Sequence, residues 1–135
     1  MRRSVPLAAL PLDVQAKFRR APTRRNAEPS RVAQFLKLLK EHGLPQPHRE
    51  FKFAEQHGRK FRADFAWPAW QLLLEQEGGI FTRQAHGSIT GLLRDLEKYN
   101  LAATLGYRVI RCVPAKLCTD EMLATIRSAL NYHAP

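Results

Sequence analysis

The spacing of apolar residues changes several times along the chain, and each spacing predicts one element of secondary structure. A helical period of 3.6 begins after Pro29, with Ser30 as a candidate N-cap, and ends at Gly43 before two prolines. Alternating residues and one continuous apolar run then predict three strands, and a second helical stretch, a β-branched strand and a last helix follow. The predicted elements are helices beginning at Ser30, covering 90–105 and following Thr119, and strands over 49–55, 60–67, 70–77 and 107–113.

The order of these elements, αβββαβα, predicts a single α/β domain. Three consecutive strands form a meander, and a helical crossover then returns the chain to a fourth strand, which gives a mixed central sheet flanked by helices. In the middle helix we expect an apolar stripe made by Leu92, Leu96, Tyr99 and Ala103 to face the sheet.

Composition narrows the class of protein. The 135 residues suit one compact domain, and 44% hydrophobic residues are too many for a fully disordered chain. No apolar run approaches the ~20 residues of a membrane span, so we expect no membrane partner. The two cysteines, Cys112 and Cys118, cannot build a disulfide scaffold, which favours a reducing cytoplasm.

The charge points to an anionic partner. Lys and Arg number 22 against 12 Asp and Glu, a net charge of +10, which favours association with polyanions such as nucleic acid. Residues 1–29 hold seven basic and two acidic residues and thus half of that excess. We interpret 1–29 as a basic, largely irregular arm before a domain over 30–135, with phosphate contact or a solvated tail as the two alternatives.

Three carboxylates form the strongest candidate site. Asp64 stands near the end of one predicted strand, and Glu75 and Glu77 share one face near the end of the next. Neighbouring strands of a meander bring such residues together, and clustered carboxylates repel one another unless a cation joins them. A hard divalent cation such as Mg²⁺ is the natural partner, while exposed carboxylates on an amphipathic strand are the alternative.

Several short motifs occur in a recognisable order. They are FRADFAWP at 61–68, LLEQEGG at 73–79, His86, Asp95-x-x-Lys98, and GYRVIR at 106–111. This combination resembles the PD-(D/E)XK nuclease superfamily, in particular small phage and prophage endonucleases related to the very-short-patch-repair type. The similarity runs from about Arg49 to Arg111, nearly half of the chain.

The resemblance implies a restriction-endonuclease-like fold and a metal site. Asp64 and Glu75 would bind Mg²⁺, with Mn²⁺ as a substitute, and Gln76 and Glu77 complete the implied ligand set. Glu77 occupies the place where the family usually has lysine. Lys98 of the following helix is our candidate for the missing cation, although its position opposite the predicted apolar stripe also suits plain solvent exposure.

The implied activity is metal-dependent hydrolysis of DNA phosphodiester bonds by an endonuclease of phage origin in the bacterial cytoplasm. His86 or Lys98 would orient the attacking water or neutralise the phosphate. The alternatives are a Holliday-junction resolvase of the same fold, often a homodimer, and a non-catalytic DNA-binding protein. The candidate DNA contacts are Arg19, Arg20, Arg24, Arg25, Arg62 and Arg83.

Overall fold

A computed structural model describes residues 24–78 and 89–132 of the chain. Over these residues the predicted αβββαβα order is confirmed. The elements are α1 (Arg24–Glu41), β1 (His48–Phe51), β2 (Ala63–Trp67), β3 (Leu72–Gln76), α2 (Ile89–Thr104), β4 (Arg108–Cys112) and α3 (Asp120–Tyr132). Within the described ranges, no helix combines the length and apolar character that crossing a bilayer requires.

The chain divides into two compact units, Met1–Ala33 and Gln34–Pro135. The division falls inside α1. The sheet, with Asp64 and Glu75 on it, belongs to the second unit.

The four strands form one mixed sheet in the order β1-β2-β3-β4. β1 pairs antiparallel with β2, and β2 antiparallel with β3, where Phe65 faces Leu74. β3 runs parallel to β4, with Glu75 beside Arg111. The meander followed by a parallel crossover is therefore as predicted, and the sheet is mixed.

Helices cover both faces of the sheet. Phe35 of α1 meets Phe65 of β2 edge-on, with ring centroids 4.9 Å apart, so the part of α1 from Gln34 onwards lies on the face that carries Phe65 and its partner Leu74. Leu73 points to the other face, where it shares an apolar cluster with Ala102 of α2. β3 is thus covered on both sides, which explains its continuous apolar run.

Two helix ends confirm the sequence prediction. Gly43 ends α1 with a φ of 67°, and the amide of Leu44 donates to the carbonyl of Leu39 at 2.8 Å, which is the geometry of a Schellman cap. At α3 the hydroxyl of Thr119 accepts a hydrogen bond from the amide of Met122 at 3.3 Å, the N-cap contact expected for threonine.

The predicted start of α1 is wrong. The helix begins at Arg24, so Ser30 lies inside it and is not its N-cap. Proline usually stands in the first turn because it lacks an N–H, which is why Pro29 suggested a boundary. Residues 24–28 contain alanine, glutamate and arginine, which are strong helix formers, and the helix continues through them.

The strands are shorter than predicted. β1 stops at Phe51 instead of residue 55, and β2 begins at Ala63 instead of residue 60, because the two strands pair only between these limits. Residues 55–57 form a 3₁₀ turn. Trp70, expected in β3, lies in the Pro68–Trp70 turn that precedes the strand.

The predicted buried face of α2 is wrong. Leu92 and Leu96 are 60% and 52% exposed, whereas Ala102 is fully buried. Leu101 and Leu105 pack partly against the same cluster as Ala102, so the C-terminal half of the helix makes the apolar contact. Lys98 stands one turn before Ala102 and therefore lies on the side of the helix that faces the sheet.

Candidate active site

Asp64 and Glu75 stand opposite each other on neighbouring strands. The β2–β3 register pairs Phe65 with Leu74, and its continuation by one residue sets Asp64 across from Glu75. Opposed residues of an antiparallel pair project from the same face. The Asp64 carboxylate also accepts a hydrogen bond from the amide of Gln76 at 2.7 Å, which fixes it at the end of β3.

Glu75 is a buried carboxylate with one cationic partner. Its residue is 7% exposed, and its Oε1 accepts a hydrogen bond from Nζ of Lys98 at 2.9 Å. Burial raises the pKa of Glu75, the hydrogen bond and charge of Lys98 lower it, and the negative charges of Asp64 and Glu77 raise it further; the net direction is upward. Lys98 of α2 therefore offsets only part of the increase in pKa that burial causes.

Glu77 is held in a separate arrangement. Its Oε1 accepts hydrogen bonds from the hydroxyl of Tyr99 at 3.0 Å and from Nε of Arg111 at 2.8 Å. The Arg111 guanidinium lies 4.3 Å from the centre of the Tyr99 ring, a cation–π contact. Burial, the nearby charge of Glu75 and the bond to Glu77 raise the pKa of Tyr99. Tyr99 is therefore a hydrogen-bond donor that keeps its proton.

The backbone around Glu77 is fixed as well. Its amide donates to the carbonyl of Cys112 at 2.7 Å and so extends the parallel β3–β4 contact by one residue. Burial raises the pKa of the Cys112 thiol, which keeps this neighbour neutral. The end of β3 is thus anchored on both sides.

The residues present fit one mode of magnesium binding. Between residues 24–78 and 89–132, no group of three His, Cys, Asp or Glu side chains is close enough to hold a metal ion together. Mg²⁺ commonly binds through one or two carboxylates, and water and substrate phosphates supply its other oxygen ligands. Asp64 and Glu75 provide such a pair, while the Glu77 carboxylate is engaged by Tyr99 and Arg111.

The structure brings together some of the predicted site residues. Asp64, Glu75 and Lys98 meet in one place, and Gln76 contributes its backbone amide there. Lys98 therefore faces the carboxylates and not solvent, and its side chain is only 16% exposed.

The predicted DNA-contacting arginines are placed less fully. Arg62 is exposed, and its guanidinium lies 3.3 Å from the carboxylate of Glu50. This pair is separate from Asp64 and Glu75. Arg24 and Arg25 belong to α1, for which the structure describes only the backbone at these two positions. Three further arginines and one histidine with predicted roles lie outside the described residues, namely Arg19, Arg20, Arg83 and His86.

Sequence reasoning missed the roles of Tyr99 and Arg111. Tyr99 was assigned to an apolar stripe because its ring fits the helical period, which says nothing of where its hydroxyl lies. Arg111 had a usable signal: the predicted crossover makes β3 and β4 parallel neighbours, and this brings residue 111 beside the carboxylates.

Comparison with known proteins gives distant relatives. No protein-family model matches the chain, and no solved structure matches it. Two proteins of Mycobacterium tuberculosis are similar to it, the uncharacterized protein Rv2248 of strain H37Rv and the uncharacterized protein MT2308 of strain CDC 1551. Each is 28% identical over 87 residues, which is 64% of this chain and 31% of the relative. The chain thus spans about a third of the length of these curated relatives.

Proposed function

We propose that this protein is a metal-dependent DNA endonuclease of the PD-(D/E)XK type. The observation that carries the proposal is the contact of Lys98 with buried Glu75, directly beside Asp64. Two carboxylates on adjacent strands and one lysine are the residue types that the resembled family uses. Burial of the Glu75 carboxylate, whose charge Lys98 only partly offsets, lowers the stability of the fold. Buried ionisable groups of this kind cluster at functional sites.

The lysine of this site comes from a helix and not from a strand. In the family pattern it would stand at position 77, but Glu77 is bound to Tyr99 and Arg111. Lys98 of α2 reaches Glu75 instead. This arrangement supports the interpretation that the basic group has moved to α2 while its contact with the second carboxylate is kept.

Asp64 and Glu75 are the residues that would hold Mg²⁺ or Mn²⁺. When bound, such an ion polarises the scissile phosphate and lowers the pKa of a water ligand. The ammonium of Lys98 has three donors, and Glu75 takes one of them. The remaining donors would stabilise negative charge on a phosphate oxygen. Glu77, fixed by Tyr99 and Arg111, positions the end of β3.

DNA is the proposed substrate because the chain carries a net charge of +10, and a polyanion is attracted to such a surface at long range. The resemblance, which concerns small phage and prophage endonucleases, supports the same choice and a bacterial cytoplasmic setting.

Nicking of supercoiled plasmid in Mg²⁺, in Mn²⁺ and in EDTA tests the proposal. Asp64→Asn and Glu75→Gln keep the size of each side chain and remove its charge, and each should lower the cleavage rate by at least about 10³-fold, or about 4 kcal/mol. Glu41→Gln is the matched control, since Glu41 is an exposed carboxylate on α1. The cleavage rate of this variant should equal that of wild type.

The outcomes separate the proposed activity from its alternatives. Wild-type protein that binds DNA without nicking it in either metal is a DNA-binding protein, and the proposal then fails. Cleavage of four-way junctions with linear duplex left intact identifies a junction resolvase. Wild-type rates in both carboxylate variants would remove Asp64 and Glu75 from the site.

A further inference from the structure

Two neighbouring grooves share part of their lining, and one of them reaches the candidate active site. The first encloses about 580 Å³ and the second about 350 Å³, and Lys60, Arg62 and Arg94 line both. The second groove also reaches Lys98, the partner of Glu75. We call the combined path the basic track. Its basic residues are Lys52, Arg59, Lys60, Arg62, Arg94 and Lys98.

More basic than acidic residues line the basic track. Against its six basic residues stand two acidic ones, Glu55 and Asp95, so its lining carries +4. Three more acids, Glu50, Glu75 and Glu97, pair with cations of the track, so the net charge along it falls to +1 when they are counted. A groove of one sign focuses the field and attracts the opposite charge.

Half of these cations are held by acidic partners in the folded chain. Arg59 pairs with Glu97 and lies 4.6 Å from the centre of the Phe61 ring. Arg62 pairs with Glu50, and Lys98 with Glu75. These contacts orient the basic groups before any ligand arrives.

The other half pair with no acid among the residues that the structure describes. Lys52, Lys60 and Arg94 are exposed, and none of the ion pairs within 24–78 and 89–132 includes them. Their charges are available to an anion without the breaking of a pair in this part of the chain.

We propose that the basic track binds the phosphate backbone of duplex DNA and leads one strand to Lys98. The inference rests on the proposed endonuclease function and names the path of its substrate. The track favours backbone contact over base contact, because its aromatic residue, Phe61, is 4% exposed and stacks on Phe53. Proteins that bind single strands present exposed aromatic platforms for bases, and the lining residues that the structure describes include none.

Equilibrium binding of a labelled 20-base-pair duplex in EDTA, across a range of NaCl concentrations, tests the track without any cleavage. The track variant carries Lys52→Gln, Lys60→Gln and Arg94→Gln. The control variant carries Lys37→Gln, Lys40→Gln and Lys116→Gln, which are exposed and line neither groove. Both variants lose three charges, and in the control variant Lys37 also loses its surface pair with Glu41.

Each phosphate contact contributes about −0.9 to the slope of log K against log salt. The track variant should therefore show a slope shallower by about 3 and, at 0.1 M salt, binding weakened at least about tenfold. The control variant should change the slope by less than about 1. Equal losses in the two variants would mean that net charge alone attracts DNA, and the proposed track would be rejected.

The failure of the track and the failure of the endonuclease function give different results. If wild type nicks plasmid and the track variant binds duplex as wild type does, the endonuclease proposal stands and the track is rejected. If wild type binds DNA through the track but does not nick plasmid, the track stands and the endonuclease proposal is rejected. A single-stranded 20-mer or duplex RNA bound more tightly than duplex DNA, with the same loss in the track variant, would overturn the choice of duplex DNA as ligand. Lys60→Arg, which keeps the charge, should bind as wild type does.

Discussion

Replacing Lys98 by methionine should destabilise the metal-free protein, because it leaves the Glu75 carboxylate buried without its cation. The two side chains are 16% and 9% exposed, and breaking one side of a fully buried pair costs about 3–5 kcal/mol. The carboxylate limits this cost by taking up a proton. From its ordinary pKa of 4.5, protonation at pH 7 costs about 3.4 kcal/mol, at about 1.36 kcal/mol per pH unit.

We therefore expect Lys98→Met to lower the free energy of unfolding by about 2–3 kcal/mol at pH 7. At pH 5 the cost of protonating Glu75 falls to about 0.7 kcal/mol, so most of the penalty should disappear. For a chain of this length, a loss of 2 kcal/mol lowers the melting temperature by about 6–10 °C.

Urea unfolding in EDTA at pH 7 and pH 5 measures both values. Lys37→Met is the matched control, because Lys37 is 76% exposed and lies 3.7 Å from Glu41 in a surface pair worth about 0.3–0.5 kcal/mol. Adding Glu75→Gln to Lys98→Met should restore most of the lost stability. A Lys98→Met penalty that equals the control at pH 7, or that is undiminished at pH 5, would refute this account of the buried pair.

Two further predictions test Glu75 and the orientation of α2. Because the folded pKa of Glu75 is raised, the folded protein binds its proton more tightly than the unfolded chain does, so this group favours folding below pH 4.5 and that contribution is lost as pH rises through the folded pKa. In Glu75→Gln the free energy of unfolding should no longer lose this contribution as pH rises. Urea titrations of metal-free wild type and variant measure it, and parallel pH profiles of the two proteins would contradict the raised pKa. On α2, Leu96→Gln should change the free energy of unfolding by less than about 0.5 kcal/mol, whereas Ala102→Leu, at a fully buried position, should cost about 1–3 kcal/mol. The opposite ranking in the same measurement would restore the helix face that the sequence predicted.

The elements with strong local signals could be predicted from the sequence. The order of helices and strands, the glycine cap at Gly43 and the threonine cap at Thr119 depend on nearby residues, and all three are confirmed. The ends of β1 and β2 could not be predicted, because they depend on where the two strands stop pairing. Residue alternation continues past that point without regard to the partner strand.

The orientation of α2 shows why part of the site was hidden. Hydrophobic periodicity weighs only apolar side chains, and it turned Leu92 and Leu96 towards the sheet. In the structure the buried carboxylate of Glu75 needs a cation, and Lys98 on the opposite side of the helix supplies it. The side of α2 that faces the sheet therefore carries both buried Ala102 and the partner of a buried charge on β3, and no local pattern in α2 records that partner.

The alternation of side chains along β3 limits how the length of the chain can change. Leu74 and Glu75 lie on opposite faces, so inserting one residue into the Pro68–Trp70 turn would direct the carboxylate into the apolar layer beside Phe35. Inserting two residues would restore the face but move the carboxylate about 7 Å along the strand, out of reach of Lys98. Related chains that keep this chemistry should therefore accept insertions and deletions in other loops while the spacing from Asp64 to Glu75 stays constant.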